Sequence, residues 1–372
     1  MKYYIIAGEA SGDLHSSNLI KEIKRLDENA VFRGWGGDLM RKEGVSLVKH
    51  INEISFMGFI EVVLNLRTIM RNMSICKKDI LDYKPDVLIL VDYPGFNLRI
   101  AEFANKIGIK VFYYISPQVW AWKQSRVKII KKVVDKMFVI LPFEKAFYND
   151  FGYKVDFVGH PLLDSIENFI NEKLDNDFLM NNNLVGKQII AILPGSRKQE
   201  ISRMLETMLK VVSQFKDYQF VIAGTDESNK EMYEKIVQNT DVKIVYKNTY
   251  NLLKNSVAAI VTSGTATLET ALFDVPQVVC YKGSFISYLI AKNVIKVNYI
   301  SLVNLIMNEG ILAELIQSDF NEKRLREELQ VILTDAGLRK KIQIDYNDLR
   351  KKLGGIGASK KTAELMVSFA KK

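Results

Sequence analysis

Four short stretches of this sequence combine residue types that could act on a phosphorylated substrate. Asp92 follows the apolar run Val87-Leu88-Ile89-Leu90-Val91 and opens Asp92-Tyr93-Pro94-Gly95-Phe96-Asn97. A carboxylate at the carboxyl end of a buried strand is partly desolvated, which raises its pKa toward the range of a general base. The alternative is a cap for the helix that begins beyond the Pro turn. Arg197, in Leu193-Pro194-Gly195-Ser196-Arg197, offers planar paired donors to a phosphate, with the N–H groups of Gly195 and Ser196 beside it. A solvent-exposed turn arginine is the plainer alternative. Ser263-Gly264-Thr265-Ala266-Thr267-Leu268-Glu269 also follows an apolar run, so helix-start N–H groups can cradle an anion. Glu269, one turn on, can take both hydroxyls of a ribose. A capping box from Thr265 fails because Leu268 is neither Glu nor Gln. Gly8-Glu9-Ala10-Ser11-Gly12-Asp13 lets a ligand approach the backbone, although it lacks the dinucleotide spacing and a tight strand-to-helix turn explains it equally well.

Other residues carry weaker chemistry. Ser116 to Lys123 reads SPQVWAWK, and from Lys123 to Lys136 there are six basic residues (Lys123, Arg126, Lys128, Lys131, Lys132, Lys136) against one acid, Asp135. Amphipathic rings at Trp120 and Trp122 followed by cations suit a membrane interface, an acyl chain with a phosphate head, or a stacked base; one core Trp and a solvated basic face is the alternative. His15 and His160 could reach a cleft, but a structural histidine is the simpler role for each. Asp175-Asn176-Asp177 matches a D-x-D metal pattern but lies in an Asn-rich stretch and not at a strand end. With no Cys or His cluster, no metal site and no cofactor are expected. The final stretch, 339–372, carries ten basic and three acidic residues, usual for a solvated helix face.

Strands expected over 3–7, 87–91, 110–114, 136–140 and 155–158, then over 188–193, 219–223, 242–245, 258–262 and 277–280, alternate with helical spacing such as 14–26. The expected fold is α/β: two Rossmann-like doubly wound domains facing a cleft, with ligands at the carboxyl ends of the strands. The expected division is 1–170, a polar linker over 171–187, 188–345, and a helical tail over 346–372, broken by Gly354-Gly355-Ile356-Gly357, that caps the second domain or crosses back to the first. The 372 residues are long enough for two domains, and 48% hydrophobic content supports their cores. A charge of +9 fits phosphate substrates, nucleic acid or an anionic membrane without choosing among them. Two distant cysteines, no signal-like start and no long apolar segment point to a reduced, cytoplasmic protein, soluble or peripheral.

Taken in order, GEASGD, Met57-Gly58, DYPGFN, SPQVWAWK, Leu141-Pro142-Phe143-Glu144, VGHP, LPGSR, SGTATLE and YISLVNLI resemble the lipid-A-disaccharide synthase family, from about residue 3 to about 317. Val303 stands where that pattern usually has Pro, and Gln118 replaces a usual Ser. The resemblance implies an inverting glycosyltransferase of the two-Rossmann B type, peripheral on the inner face of the inner membrane; with Arg and backbone dipoles for the leaving group and no acidic metal site in the sequence, the transfer is expected to be metal-independent. It implies condensation of UDP-2,3-diacylglucosamine with 2,3-diacylglucosamine 1-phosphate, with UDP as the leaving group. It further implies Asp92 as base, Arg197 on the diphosphate, and Ser263, Gly264, Thr265, Glu269, Asn304 and Gln317 on UDP. An acceptor loop is expected at Gly8, Glu9, Ser11, Gly12, Asp13 and His15. Lipid contacts are expected at Phe56, Met57, Trp120, Trp122, Lys123, Arg126 and Lys128, on an anionic membrane and not on nucleic acid. A homodimer exchanging C-terminal helices would account for the tail. The competing expectations are a UDP-N-acetylglucosamine transferase or epimerase of the same fold, and a basic, non-catalytic membrane-binding or RNA-binding module.

Overall fold

The computed structural model describes residues 1–54, 66–122, 124–172, 174–224, 229–238, 240–283 and 298–371, with the backbone alone for Trp122. The chain divides into two compact units, Met1–Ser165 with Leu353–Lys372, and Ile166–Lys352. Each is built on one parallel sheet, the α/β class that the alternating pattern predicts.

The first unit has seven strands in the order β3-β2-β1-β4-β5-β6-β7: β1 (Lys2–Ala7), β2 (Val31–Gly36), β3 (Ser46–His50), β4 (Val87–Val91), β5 (Lys110–Tyr114), β6 (Lys136–Val139) and β7 (Asp156–Phe157). Parallel strands joined by helices are covered on both faces and so read as continuous apolar runs. β4 is the clearest case, with all five side chains buried. Each contributes about 1.5–3 kcal/mol relative to exposure. The helix Ala358–Ala370 returns from the end of the chain and packs along the helix Ala10–Leu26. Its N-terminus is capped from within the unit: the Asp164 carboxylate accepts the Gly357 N–H at 2.6 Å and the Ser359 N–H at 2.8 Å. Gly357, at φ +103, supplies the left-handed turn that brings those N–H groups round.

The second unit has six strands in the order β10-β9-β8-β11-β12-β13: β8 (Gln188–Leu193), β9 (Tyr218–Gly224), β10 (Lys243–Tyr246), β11 (Ser256–Thr262), β12 (Gln277–Tyr281) and β13 (Glu314–Ile316). Two expected boundaries move. The stretch expected as a linker over 171–187 contributes Phe178 and Leu184 to the core of this unit, because its two apolar anchors outweigh the asparagines around them. The expected tail is divided: the helix Ala336–Lys352 belongs to the second unit and everything from Leu353 to the first.

Candidate active site

In each sheet one neighbouring pair of strands marks the point where the winding reverses, and loops beyond the strand ends there form the natural ligand crevice of such folds. In the first unit that pair is β1 and β4, with Ala7 opposite Val91. The two loops that leave it are Gly8 to Asp13 and Asp92 to Asn97. They are in contact: a Cβ on Gly8 would overlap the Tyr93 ring, so glycine is what allows Tyr93 to lie across the first loop.

Asp92 and Tyr93 adopt φ of +45 and +49, left-handed backbone at two successive residues with side chains. Such conformations cost about 1–3 kcal/mol each and persist where the surroundings over-determine them. Here the Asp92 N–H donates to the Tyr114 carbonyl (3.2 Å), while its carbonyl accepts from Asn97 Nδ2 (2.7 Å) and the Tyr113 hydroxyl (2.5 Å). Burial pushes the Asp92 carboxyl up to about 7, the nearby Glu9 carboxylate pushes the same way, and the Tyr93 N–H opposes them. Asp92 is not the N-cap of the helix Pro94–Lys106: Tyr93 holds that position without a capping bond from its side chain, and the Asp92 carboxylate accepts the Tyr93 N–H.

The rest of the first loop does two jobs. Glu9 is half-buried and Ser11 exposed, whereas Gly12 packs on Ala7 and Val91. Asp13, expected to meet the acceptor, is instead structural: its carboxylate accepts the N–H groups of Gly37 (2.8 Å), Leu39 (3.0 Å) and Met40 (3.0 Å) and so fixes the start of the helix Asp38–Lys42. His15 is also removed from the loop. It is buried with its ring edge-on to His160, 6.5 Å between centroids, and burial pushes its pKa down to about 4 and that of His160 to about 3.

The aromatic and basic segment separates in the same way. Trp120, expected at a lipid surface, is 8% exposed and stands edge-on to Phe143 at 4.9 Å, because Leu141 to Glu144 folds over it from the next strand end. Glu144 beneath is buried, accepts the N–H groups of Ile140 and Leu141, and is pushed up to about 7 by that burial. Arg126 is half-buried; Lys128, Ile129, Lys131 and Lys132 are exposed on the helix Val127–Val133. Phe56, Met57, Lys123 and the Trp122 side chain lie outside the described residues.

In the second unit the reversal falls between β8 and β11, paired through Leu193 and Val261. Arg197 is the N-cap of the helix Lys198–Leu209. It is exposed and pairs at 3.2 Å with Glu200, whose other oxygen accepts the Ser196 N–H at 3.3 Å. A carboxylate of the same helix thus sits on the donors expected to take a diphosphate. Across the pair, Ser263 is held by its hydroxyl on the Ile300 carbonyl, and Gly264 and Thr265 lie exposed at the start of the helix Thr265–Leu272. One turn on, Glu269 Oε1 accepts the Tyr250 hydroxyl at 2.8 Å, and burial raises the carboxyl's pKa.

Asn304 is a correction. Its amide is engaged within the unit, Nδ2 donating to the Leu312 carbonyl and Glu314, and Oδ1 accepting the Ile311 and Leu312 N–H groups, all at 2.9–3.0 Å. It organises the turn into β13 and presents nothing to a nucleotide. Gln317, just past the end of β13 at φ +56, keeps a buried Nε2 with no hydrogen-bond partner among the described residues. Asp175 Oδ1 accepts the Asp177 N–H in a local turn. Among the described residues no group of three or more His, Cys, Asp or Glu is placed to hold a metal ion.

Asn97, Tyr113, Glu144, Glu200 and Tyr250 had no sequence-based role. Asn97 and Glu144 stand inside motifs quoted for the resemblance, which was their only signal; the other three enter through tertiary placement.

A lipid-A-disaccharide synthetase family profile matches residues 3–369. The lipid-A-disaccharide synthase of Syntrophus aciditrophicus is 40% identical over 99% of this chain and 97% of its own, and that of Nitrosococcus oceani 39% identical over 98% and 95%. Among solved structures, the UDP-GlcNAc 2-epimerase of Neisseria meningitidis bound to UDP-GlcNAc superposes with a TM-score of 0.70 at 12% identity, covering 99% of this chain and 100% of that one. The Methanocaldococcus jannaschii UDP-GlcNAc 2-epimerase in complex with UDP-GlcNAc and UDP gives 0.68 at 16% identity, covering 99% and 100%. At such identities the likeness is one of fold.

Proposed function

The chain belongs to the lipid-A-disaccharide synthetase family, and from that premise we propose how its residues divide the work. Its role is that of the family: it joins UDP-2,3-diacylglucosamine and 2,3-diacylglucosamine 1-phosphate into lipid A disaccharide 1-phosphate and releases UDP. Asp92 takes the proton of the acceptor hydroxyl as that oxygen attacks the anomeric carbon. Arg197, with the N–H groups that open the helices Lys198–Leu209 and Thr265–Leu272, meets the charge that develops on departing UDP. Glu269, oriented by Tyr250, binds the ribose with its second oxygen, and Gln317 offers its buried amide to the nucleotide. Glu9 and Ser11 remain as acceptor contacts from the first loop.

The observation that carries this assignment is the placement of both motif pairs at the two winding reversals, Gly8 to Asp13 beside Asp92 and Leu193 to Arg197 beside Ser263 to Glu269. Incubation with both diacylated substrates in EDTA should give disaccharide 1-phosphate and UDP. Folded protein that gives neither would remove the assignment. The epimerase alternative has the fold on its side, but at 12–16% identity it has nothing more. Arg197→Ala should weaken UDP binding by about 10- to 100-fold by calorimetry, the range for losing a charge-assisted phosphate contact. An unchanged affinity would move the diphosphate elsewhere.

For the membrane we propose a peripheral contact at the inner face of the inner membrane, through Lys128, Lys131 and Lys132 with Ile129 among them. Among the described residues no helix is long and apolar enough to cross a membrane. Co-sedimentation with phosphatidylglycerol vesicles should be lost when the three lysines are changed to Glu, and retention would redirect the contact. A dimer that exchanges the helix Ala358–Ala370 would use the glycine turn before it as a hinge. Light scattering of the full chain decides this, and a monomer at all concentrations would dispose of it.

A further inference from the structure

The conformation of Asp92 is held by two side chains that do not themselves meet the substrate. We infer that Asn97 and Tyr113 are positioning residues for the transfer reaction: together they clamp the main-chain carbonyl of Asp92 and so aim its carboxylate at the acceptor hydroxyl. The inference rests on Asp92 as the base.

β4 would run on or turn freely at Asp92 if nothing opposed it, and neither Asp92 nor Tyr93 is a glycine that would take positive φ without resistance. What opposes it comes from two different elements. Asn97, on the helix Pro94–Lys106, donates through Nδ2 both to the Val91 carbonyl (3.2 Å) and to the Asp92 carbonyl (2.7 Å), spanning the bend itself. Tyr113, on the neighbouring strand β5, donates to the same Asp92 carbonyl at 2.5 Å. Both side chains are fully buried. Asn97 Oδ1 has no hydrogen-bond partner among the described residues, so the amide is held there for its donor half. Burial keeps the Tyr113 phenol protonated well beyond its usual range, so it too is a donor at every working pH.

Neither bond engages the carboxylate. The main chain of Asp92 is fixed on both sides, N–H to Tyr114 and carbonyl to the clamp, while the carboxylate that must gain a proton accepts the Tyr93 N–H and neither bond of the clamp. A preorganised base of this kind avoids the loss of rate that a displacement of even about 1 Å produces.

The test compares Tyr113→Phe, Asn97→Ala and Asp92→Asn in the full chain with both substrates. Tyr113→Phe removes one hydroxyl and keeps the ring, so it should fold. It should lower kcat roughly 10-fold, with KM and UDP affinity within about twofold, and Asn97→Ala should lower kcat roughly 100-fold. The acidic limb of kcat/KM should also move to lower pH in Tyr113→Phe, because a released carboxylate regains water; a role in stability alone would not move it. If folded Tyr113→Phe keeps kcat within about twofold and its limb in place while Asp92→Asn is inactive, the clamp is overturned and the base stands. If Asp92→Asn retains full turnover, the base assignment fails and the clamp falls with it. Should Asn97→Ala not fold, Tyr113→Phe alone decides.

Discussion

Asp92→Asn lowers turnover by about 10²- to 10⁴-fold, leaves UDP binding near normal, and raises the melting temperature: this combined outcome is expected of a base kept in an unfavourable place. Asparagine has the shape of the carboxylate and still accepts the Tyr93 N–H, and the main-chain bonds to Tyr113, Asn97 and Tyr114 do not depend on the side-chain charge. What is lost is the capacity to take a proton. The stability change has the opposite sign. The folded pKa, about 7, lies above the unfolded value of 3.8, so this group's contribution is fully present below pH 3.8 and is lost as pH rises through about 7. At pH 8 the ionised carboxylate therefore opposes folding. Removing its charge should stabilise the chain by about 1–3 kcal/mol, the lower figures allowing for partial exposure. In the unaltered enzyme kcat/KM should rise through about pH 7 as the carboxylate ionises. Pre-steady-state turnover and calorimetric melting are the measurements. A fall in both would mark Asp92 as structural, and undiminished turnover would place the base elsewhere.

The parts of the fold visible in the sequence were those in which a single residue pattern decides the outcome. β4, β5 and β8 fall where their apolar runs stand, because a strand covered on both faces must be apolar throughout. β2 was not foreseen. Val31–Gly36 contains Arg33, held by the Asp79 carboxylate at 2.7 Å, and Gly34, at φ +156, where a Cβ would strike the Ile5 carbonyl, so both apparent breaks are tertiary fits. β13 has only three residues, and the turn before it is organised by Asn304 and Glu314. The site divides in the same manner. Asp92 could be found because a carboxylate after an apolar run is already unusual. Asp13 and Asn304 looked equally suited to a ligand, and no spacing rule reveals that neighbouring N–H groups occupy the oxygens of both, or that the Asn304 Nδ2 is spent on the Leu312 carbonyl and Glu314. Trp120 beside cations suggested lipid because its cover, Phe143, arrives from the following strand end.

Charging His15 and His160 should work against the folded state as the pH falls, in opposition to Asp92 and Glu144, whose buried carboxyls are relieved of charge below about pH 7. The two rings are buried against one another in the first unit, where the helix Ala10–Leu26 meets the segment after β7. Asp164 faces His15 and favours its cation, but burial prevails there, and His160 is held down further by His15 itself. Tyr114 is likewise buried, and Asp164 is already bound to the N–H groups of Gly357 and Ser359. With folded pKa values of about 4 and about 3 against 6.5, the folded state takes up protons later than the unfolded chain. The stability this represents is present above pH 6.5 and is lost as pH falls below it, by about 2 kcal/mol per histidine at pH 5. The two together oppose folding by about 4 kcal/mol at pH 5, before the gain of opposite sign from Asp92 and Glu144. Because Asp164 also caps the helix Ala358–Ala370, charging the pair should loosen the C-terminal helix first, seen as early amide exchange in that helix. Urea melts from pH 8 to pH 5 read this loss together with the opposing gain at Asp92 and Glu144, so in His15→Gln and His160→Gln the change in stability over that range should shift toward a gain by about 2 kcal/mol relative to the unaltered chain. A change equal to that of the unaltered chain in both variants would assign the acid sensitivity to other groups.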